Sequence, residues 1–403
     1  MSKKAKRRIK KRANKLAKKS LRRAKRKAKK GKKNMSDAAR LYRLVKQEIK
    51  RMLPDMLPTN RRTLAMMVTG ILRSGDGRLS KIAGKVCYHY KVKSLVERFR
   101  RLVRNKNIDV SIEYGPFAEQ IFDALRKQEE IILLIDTTKL GRETICLMVS
   151  AYYCGRALPI GWLVYEGKKG HSSQACQLEL FKQIKEQLPE TASVVLLGDG
   201  EFDGGEVVKW FEAQPNWSYV CRTSKSNTIF YQNQWIALKE LKLKDGEEKF
   251  LAGISFTQAH KIPKINIMVV WHKGKKEHWF FVTDVKTFTQ AKQWYAKRFT
   301  IETLFSDFKG RGYNLHKTGL TNPERVSRLI FAAALAYFFT VVLGITAIIS
   351  GDVEKLVRTD AVYHSLFRLG LIYLDYLLNL DKKLPSLLNL SLPELFDPKS
   401  HHL

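Results

Sequence analysis

The sequence predicts an α/β fold flanked by helical N- and C-terminal regions, and three observations predict it. Residues 131–135 and 194–197 are short, continuous apolar runs, the mark of strands buried on both faces. Around them strand-like stretches (145–153, 157–165, 219–221) alternate with helical ones (174–187, 206–213). Residues 35–129 instead show periodic apolar positions and few strand signals.

In order, the central region reads three strands, helix, strand, helix, strand, which is the order of the ribonuclease H-like fold. A domain over 130–350 holds it. Within that domain, 215–285 alternates short strands (228–231, 249–254, 265–271, 279–283) with polar turns and reads as a β-rich insertion. Helices follow over 295–309, 325–349 and 362–380. Residues 351–403 form a helical C-terminal region, a candidate dimerisation element.

Charge narrows the partners. The net charge is +36, and 20 of the first 33 residues are Lys or Arg with no acid among them. Residues 1–34 have no apolar set to bury, so a disordered basic tail is expected, attracted to polyanions through counterion release. The remaining chain still carries +16, so the excess is not confined to the tail. Nucleic acid fits this balance; an anionic membrane surface is the rival. Five cysteines, odd in number and without a CxxC pair, argue against a zinc site or a disulfide framework. They suit a reducing, cytoplasmic compartment.

Within 35–129, Asn60 can cap a helix running to Arg73, which Gly75-Asp76-Gly77 ends. Short helices follow over 79–86 and 92–103. The second turns Leu95, Val96, Phe99 and Leu102 inward and Lys93, Arg98, Arg100, Arg101 and Arg104 outward. The pair reads either as a helix-turn-helix, with the basic helix bound for a major groove, or as a plain bundle with a solvated basic face. Residues 329–349 are 21 without a charge, long enough to cross a bilayer. Their place close behind the helix over 295–309 favours a buried core helix, and no membrane partner is expected.

The chemistry rests on three carboxylates. Asp136 and Asp199 each follow a buried strand, which places them at the carboxyl edge of the sheet, where α/β proteins bind ligands. On a helix over 295–309, Arg298, Glu302 and Lys309 fall within about 60° of Tyr295, so Glu302 can complete a cluster at that edge. Each residue has a plainer reading: the aspartates as caps of their turns, Arg298 and Glu302 as a surface i, i+4 pair. Together, three unpaired carboxylates repel one another unless a divalent cation joins them. Hard oxygen donors suit Mg²⁺ or Mn²⁺, and two such ions serve in-line phosphoryl displacement. His171, in a polar loop, reads as a solvated histidine.

Tyr295, Arg298, Glu302 and Lys309 match Y-x2-R-x3-E-x6-K, and here the chain resembles the DDE transposases of the bacterial insertion sequence 4 family. Asp136 in IDTT looks like that family's first aspartate, and Asp199 in GDGEFD like its second. Gly200 stands where the common form has arginine, so a basic contact is missing there. The likeness covers about residues 60 to 350; the basic tail has no counterpart. It implies catalysis and metal binding by Asp136, Asp199 and Glu302, and DNA binding by Tyr295, Arg298 and Lys309. Trp279 in WFFVTD sits where relatives hold a tryptophan that receives a flipped base; a core tryptophan reads the same way. The implied protein is a cut-and-paste transposase that binds double-stranded DNA, both transposon ends and target, as a homodimer. A nuclease of the same fold that never joins ends, or a catalytically silent DNA-binding relative, is the alternative.

Overall fold

The computed structural model describes residues 35–86, 90–167, 172–358 and 364–390. The basic tail and His171 lie outside them. Five helices come first: α1 (Asp37–Met52), α2 (Pro58–Ser74), α3 (Leu79–Lys85), α4 (Val92–Arg104) and α5 (Val110–Leu125). Strands β1 (Ile131–Lys139), β2 (Thr144–Tyr153) and β3 (Arg156–Glu166) lead to α6 (Gln174–Gln187), β4 (Val194–Gly198), α7 (Gly205–Glu212) and β5 (Trp217–Thr223). Then come β6 (Thr228–Tyr231), β7 (Gln234–Ala237), β8 (Glu248–Phe256), β9 (Ile262–Val270) and β10 (Trp279–Thr283). The chain closes with α8 (Phe288–Ala296), α9 (Thr300–Phe308), α10 (Pro323–Ile349), α11 (Val353–Leu356) and α12 (Leu366–Asn379).

All ten strands form one sheet in the order β3-β2-β1-β4-β5-β10-β9-β8-β6-β7. β1 and β4, and β4 and β5, are parallel, and the crossovers between them carry α6 and α7. The segment expected as an insertion thus adds no sheet of its own. β10 pairs antiparallel with β5, and the later strands extend the sheet from there. β5 itself, inside the expected 215–285 boundary, pairs with β4 as one of the central strands.

Successive strand residues face opposite sides, and β3 shows what covers each. A Cβ on Gly161 would touch Leu180 and Ile184 of α6, whereas Trp162 donates its indole N–H to Ser327 of α10 at 3.0 Å. The β3 end of the sheet therefore lies between helical layers. α10 is the spine of the second layer, packed against α2, α4, α5, α12 and β3. Asn322 caps it by accepting from Arg325 N–H, and Pro323 opens its first turn. It is the one helix among the described residues long and apolar enough to cross a membrane, and 94% of its most apolar stretch is buried in this protein.

The C-terminal helix, a candidate for dimerisation in the sequence, spends its apolar face within the chain. Leu366, Leu369, Gly370, Tyr373, Leu374 and Leu377 of α12 are buried, and α12 packs along α10. The two backbones cross at Gly344 and Gly370: a Cβ on Gly370 would run into the Thr340 carbonyl, and one on Gly344 into that of Leu366. Both obstacles are backbone, so they cannot rotate away. Gly370→Val is expected to destabilise the fold by about 3 kcal/mol or more. Urea denaturation should show this as a lower midpoint with an unchanged slope.

Candidate active site

The helix expected over 295–309 is broken. α8 ends at Ala296, a tighter 3₁₀ turn spans Lys297–Phe299, and α9 begins at Thr300. At three residues per turn instead of 3.6, this turn shifts the side-chain phase by roughly 60° across its length. The four signature residues therefore do not share one exposed stripe. Tyr295 and Arg298 are buried, at 5% and 7% exposure, while the Glu302 side chain is 52% exposed. Lys309 is the C-cap of α9, one residue past its end.

Strand register brings the two aspartates together. β1 and β4 pair from Ile131 beside Val194 to Leu134 beside Leu197. The same offset continued two residues past the paired segment brings Asp199 to the side of Asp136, whose carboxyl feels its charge. Asp199 follows the last residue of β4 as expected, but Asp136 does not follow the end of β1. The strand runs on to Lys139, because its pairing with β2 outlasts its pairing with β4. Asp136 is thus rigidly held where β4 peels away. Its Oδ1 accepts from Thr137 N–H at 2.7 Å, and Asp199 Oδ1 accepts from Glu201 N–H at 2.9 Å.

Arg298 ties α9 to this edge. Its two terminal nitrogens reach Asp136 Oδ2 at 3.4 Å and Glu302 Oε1 at 2.5 Å, so one guanidinium spans two of the three carboxylates. Its Nε is buried without a hydrogen-bond partner, leaving the fork unsaturated. Burial pushes the Asp136 carboxyl up to about 7; the Asp199 charge pushes the same way, against the pull of Arg298. Burial lowers the Lys309 ammonium, and Asp136 offsets part of that. Tyr295 is raised to about 12, again chiefly by burial, with Arg298 acting against it.

Trp279 opens β10 and is partly buried. Arg222 lies over its ring at 4.9 Å, and the Phe299 ring is 6.5 Å away and 44% exposed. Tyr295 packs edge-on against Phe281 at 4.5 Å, and Arg298 lies over Phe299 at 4.8 Å. An aromatic shelf with two guanidinium groups therefore adjoins the carboxylates.

Three residues here were not anticipated. Glu201 accepts from Thr137 Oγ at 3.0 Å and from Ser172 Oγ at 2.5 Å, and its carbonyl accepts from Gln177. It fastens β1 to the start of α6 behind the aspartates. Its signal in the sequence was its place two residues after Asp199, within GDGEFD. Arg222 and Phe299 had no comparable signal, since each depends on which strand lies beside β5.

The donor chemistry suits a divalent cation. Asp136 and Asp199 are neighbouring oxygen donors, and burial and the Asp199 charge make ionisation of Asp136 costly, a penalty that a cation removes. Among the described residues, no three His, Cys, Asp or Glu side chains converge into a ready-made cage. Glu302 is held by Arg298 and would have to swing to join the pair.

The family model described as "Transposase DDE domain" matches residues 128–339, more than half of the chain. The chain belongs to that family, and its sheet and carboxylate edge fall within the matched segment. Among solved structures, the cryo-EM structure of the piggyBac transposase synaptic complex with hairpin DNA is similar at 12% identity. That match covers 87% of this chain and 80% of that one, with a TM-score of 0.40. No curated protein matches.

A carboxyl whose folded pKa lies above its unfolded value binds more protons when folded, so stability falls as pH rises between the two values. For Asp136 that window runs from its ordinary 3.8 to about 7. Asp136→Asn is therefore expected to raise the melting temperature at pH 8 in chelator and to change it little at pH 4. Thermal scans at both values check this.

Proposed function

We propose that this protein is a cut-and-paste DNA transposase with a ribonuclease H-like catalytic core, of the insertion sequence 4 type. The observation that carries the proposal is the placement of Asp136 beside Asp199 by strand register, with Glu302 brought to the same edge through Arg298. The run β3-β2-β1-β4-β5, with β1 parallel to β4 and β4 to β5, supports the core assignment.

In this reading, Asp136, Asp199 and Glu302 hold Mg²⁺ or Mn²⁺, two ions in the working complex. When bound, such ions supply charge neutralisation at the scissile phosphodiester and activate the attacking oxygen, first of water and then of a 3′-hydroxyl. The protein's own groups bind and orient the DNA. Once Glu302 swings to the aspartates, Arg298 offers the terminal nitrogen it frees, and Lys309 a point charge, to phosphate oxygens at the transposon end, beside Tyr295. Trp279, with Phe299 and Arg222 beside it, forms a stacking surface for an extruded base. Two copies would act on paired ends.

Glu302→Gln keeps the shape of the side chain and removes its charge. It is expected to reduce Mg²⁺-dependent cleavage at least about 1,000-fold, a loss of roughly 4 kcal/mol of transition-state stabilisation, while end binding is retained. Gel-based cleavage and mobility-shift assays measure the two separately, and unchanged cleavage in the variant refutes the enzyme assignment. Wild-type protein incubated with Mg²⁺, an end-bearing fragment and a target plasmid should also give joined product. Cuts without joining would identify a nuclease instead.

A further inference from the structure

Away from the carboxylate edge, α2 and α4 flank an open surface cavity of about 540 Å³. Arg98, Arg101 and Arg104 of α4 form one wall at i, i+3 and i+6, and Thr59, Asn60 and Asn105 are among the others. Arg98 is held in place: its Nε donates to Thr63 Oγ at 2.9 Å, and that hydroxyl donates on to the Thr59 carbonyl. Arg101 and Arg104 are exposed and make no ion pair with an acid among the described residues, unlike their neighbour Arg100, which pairs with Glu97. No acidic side chain lines the cavity. Three guanidinium groups converging on an acid-free hollow repel one another and are matched by an anion carrying several oxygens.

The cavity has a fixed relation to the active site. α2 is a strut whose buried middle joins an exposed first turn to a half-buried last one. Its first turn lines the cavity. Its C-cap, Gly75, accepts from the Asn314 side chain at 3.2 Å, and Asn314 N–H in turn donates to the Lys309 carbonyl at 2.8 Å. Seventeen helical residues span roughly 25 Å. That is about seven base pairs of B-form duplex, at 3.4 Å each.

We propose that the arginine-lined cavity is a phosphate clamp for duplex DNA, gripping the backbone about seven base pairs inside the end that Lys309 holds. The α4 arginines then grip backbone at a fixed distance and do not read bases in a major groove. This rests on the active-site reading for where the DNA end lies, though the clamp itself does not. It makes α2 a ruler that couples end binding to cleavage position.

The test compares full-length wild type with Arg101→Ala/Arg104→Ala, using an end-bearing duplex. Circular dichroism and melting temperature should match, because both side chains are exposed. Binding at 0.15 M salt should weaken at least tenfold, and the slope of log K against log salt should fall in magnitude by about 2. Phosphate-ethylation interference on wild type should show a cluster about seven base pairs inside the end, lost in the variant. Wild type that cuts ends while the variant keeps full affinity, salt slope and interference pattern overturns the clamp and leaves the active-site reading standing. A wild type that never cuts, with a variant that still loses affinity and salt dependence, overturns the active-site reading and keeps the clamp. Equal competition by duplex RNA, lost in the same variant, overturns the assignment to DNA.

Discussion

Repulsion between Asp136 and Asp199 is the constraint on which the rest of the site depends. Asp136 is fixed by the ladder between β1 and β2, and Asp199 follows directly on the last residues of β4 and is tied to the Glu201 N–H. The sheet places them together, and burial then makes the pairing costly: the Asp136 carboxyl is pushed up to about 7 by desolvation and by the Asp199 charge. A fold built only for stability gains nothing from two such groups in register. The cost is understandable if a cation is to be held there, and the neighbouring groups share that logic. Arg298 spans Asp136 and Glu302, and Lys309 feels the Asp136 charge.

The surrounding architecture keeps this edge rigid on one side and adjustable on the other. Behind the aspartates, Glu201 ties Thr137 to Ser172, and Gln177 closes the same network. On the opposite flank, Arg156 pairs with Asp307 of α9 inside the core and also bonds the Tyr337 hydroxyl at 2.8 Å. That buried pair anchors α9 to α10 below the site. The Lys297–Phe299 turn is the one tightened stretch between α8 and α9, and it carries Arg298. Rearrangement of Glu302 toward the aspartates thus needs movement at one side chain and its guanidinium partner, with the scaffold left intact.

Much of this was legible in the sequence, for identifiable reasons. Continuous apolar runs at 131–135 and 194–197 cannot be amphipathic surface strands, so they located the parallel pair β1 and β4, and the aspartates after them marked where that pairing ends. The 21-residue uncharged run was ambiguous by composition alone; the packing of α2, α4, α5 and α12 around α10 supplies the apolar surroundings that it needed. Other features had no local signal. Nothing in YAKRFTIETLF announces a 3₁₀ turn, since every residue there is compatible with an α-helix; the break is expressed in which side chains turn toward Asp136. The docking of β10 against β5 is a long-range pairing, and the shelf of Trp279, Arg222 and Phe299 exists only because of it. The Gly344–Gly370 crossing was hidden for the same reason, because glycine in a helix reads as a weakness until the second backbone is seen beside it.

The most direct measurement is Mn²⁺ binding to the full-length protein at pH 8, followed by electron paramagnetic resonance with Mg²⁺ as competitor. Wild type should bind Mn²⁺ and release it to Mg²⁺, whereas Asp199→Asn, with the paired charge removed, should lose at least ten times in affinity. If that variant binds Mn²⁺ as tightly as wild type, the two aspartates do not share a cation and the account of this edge is wrong.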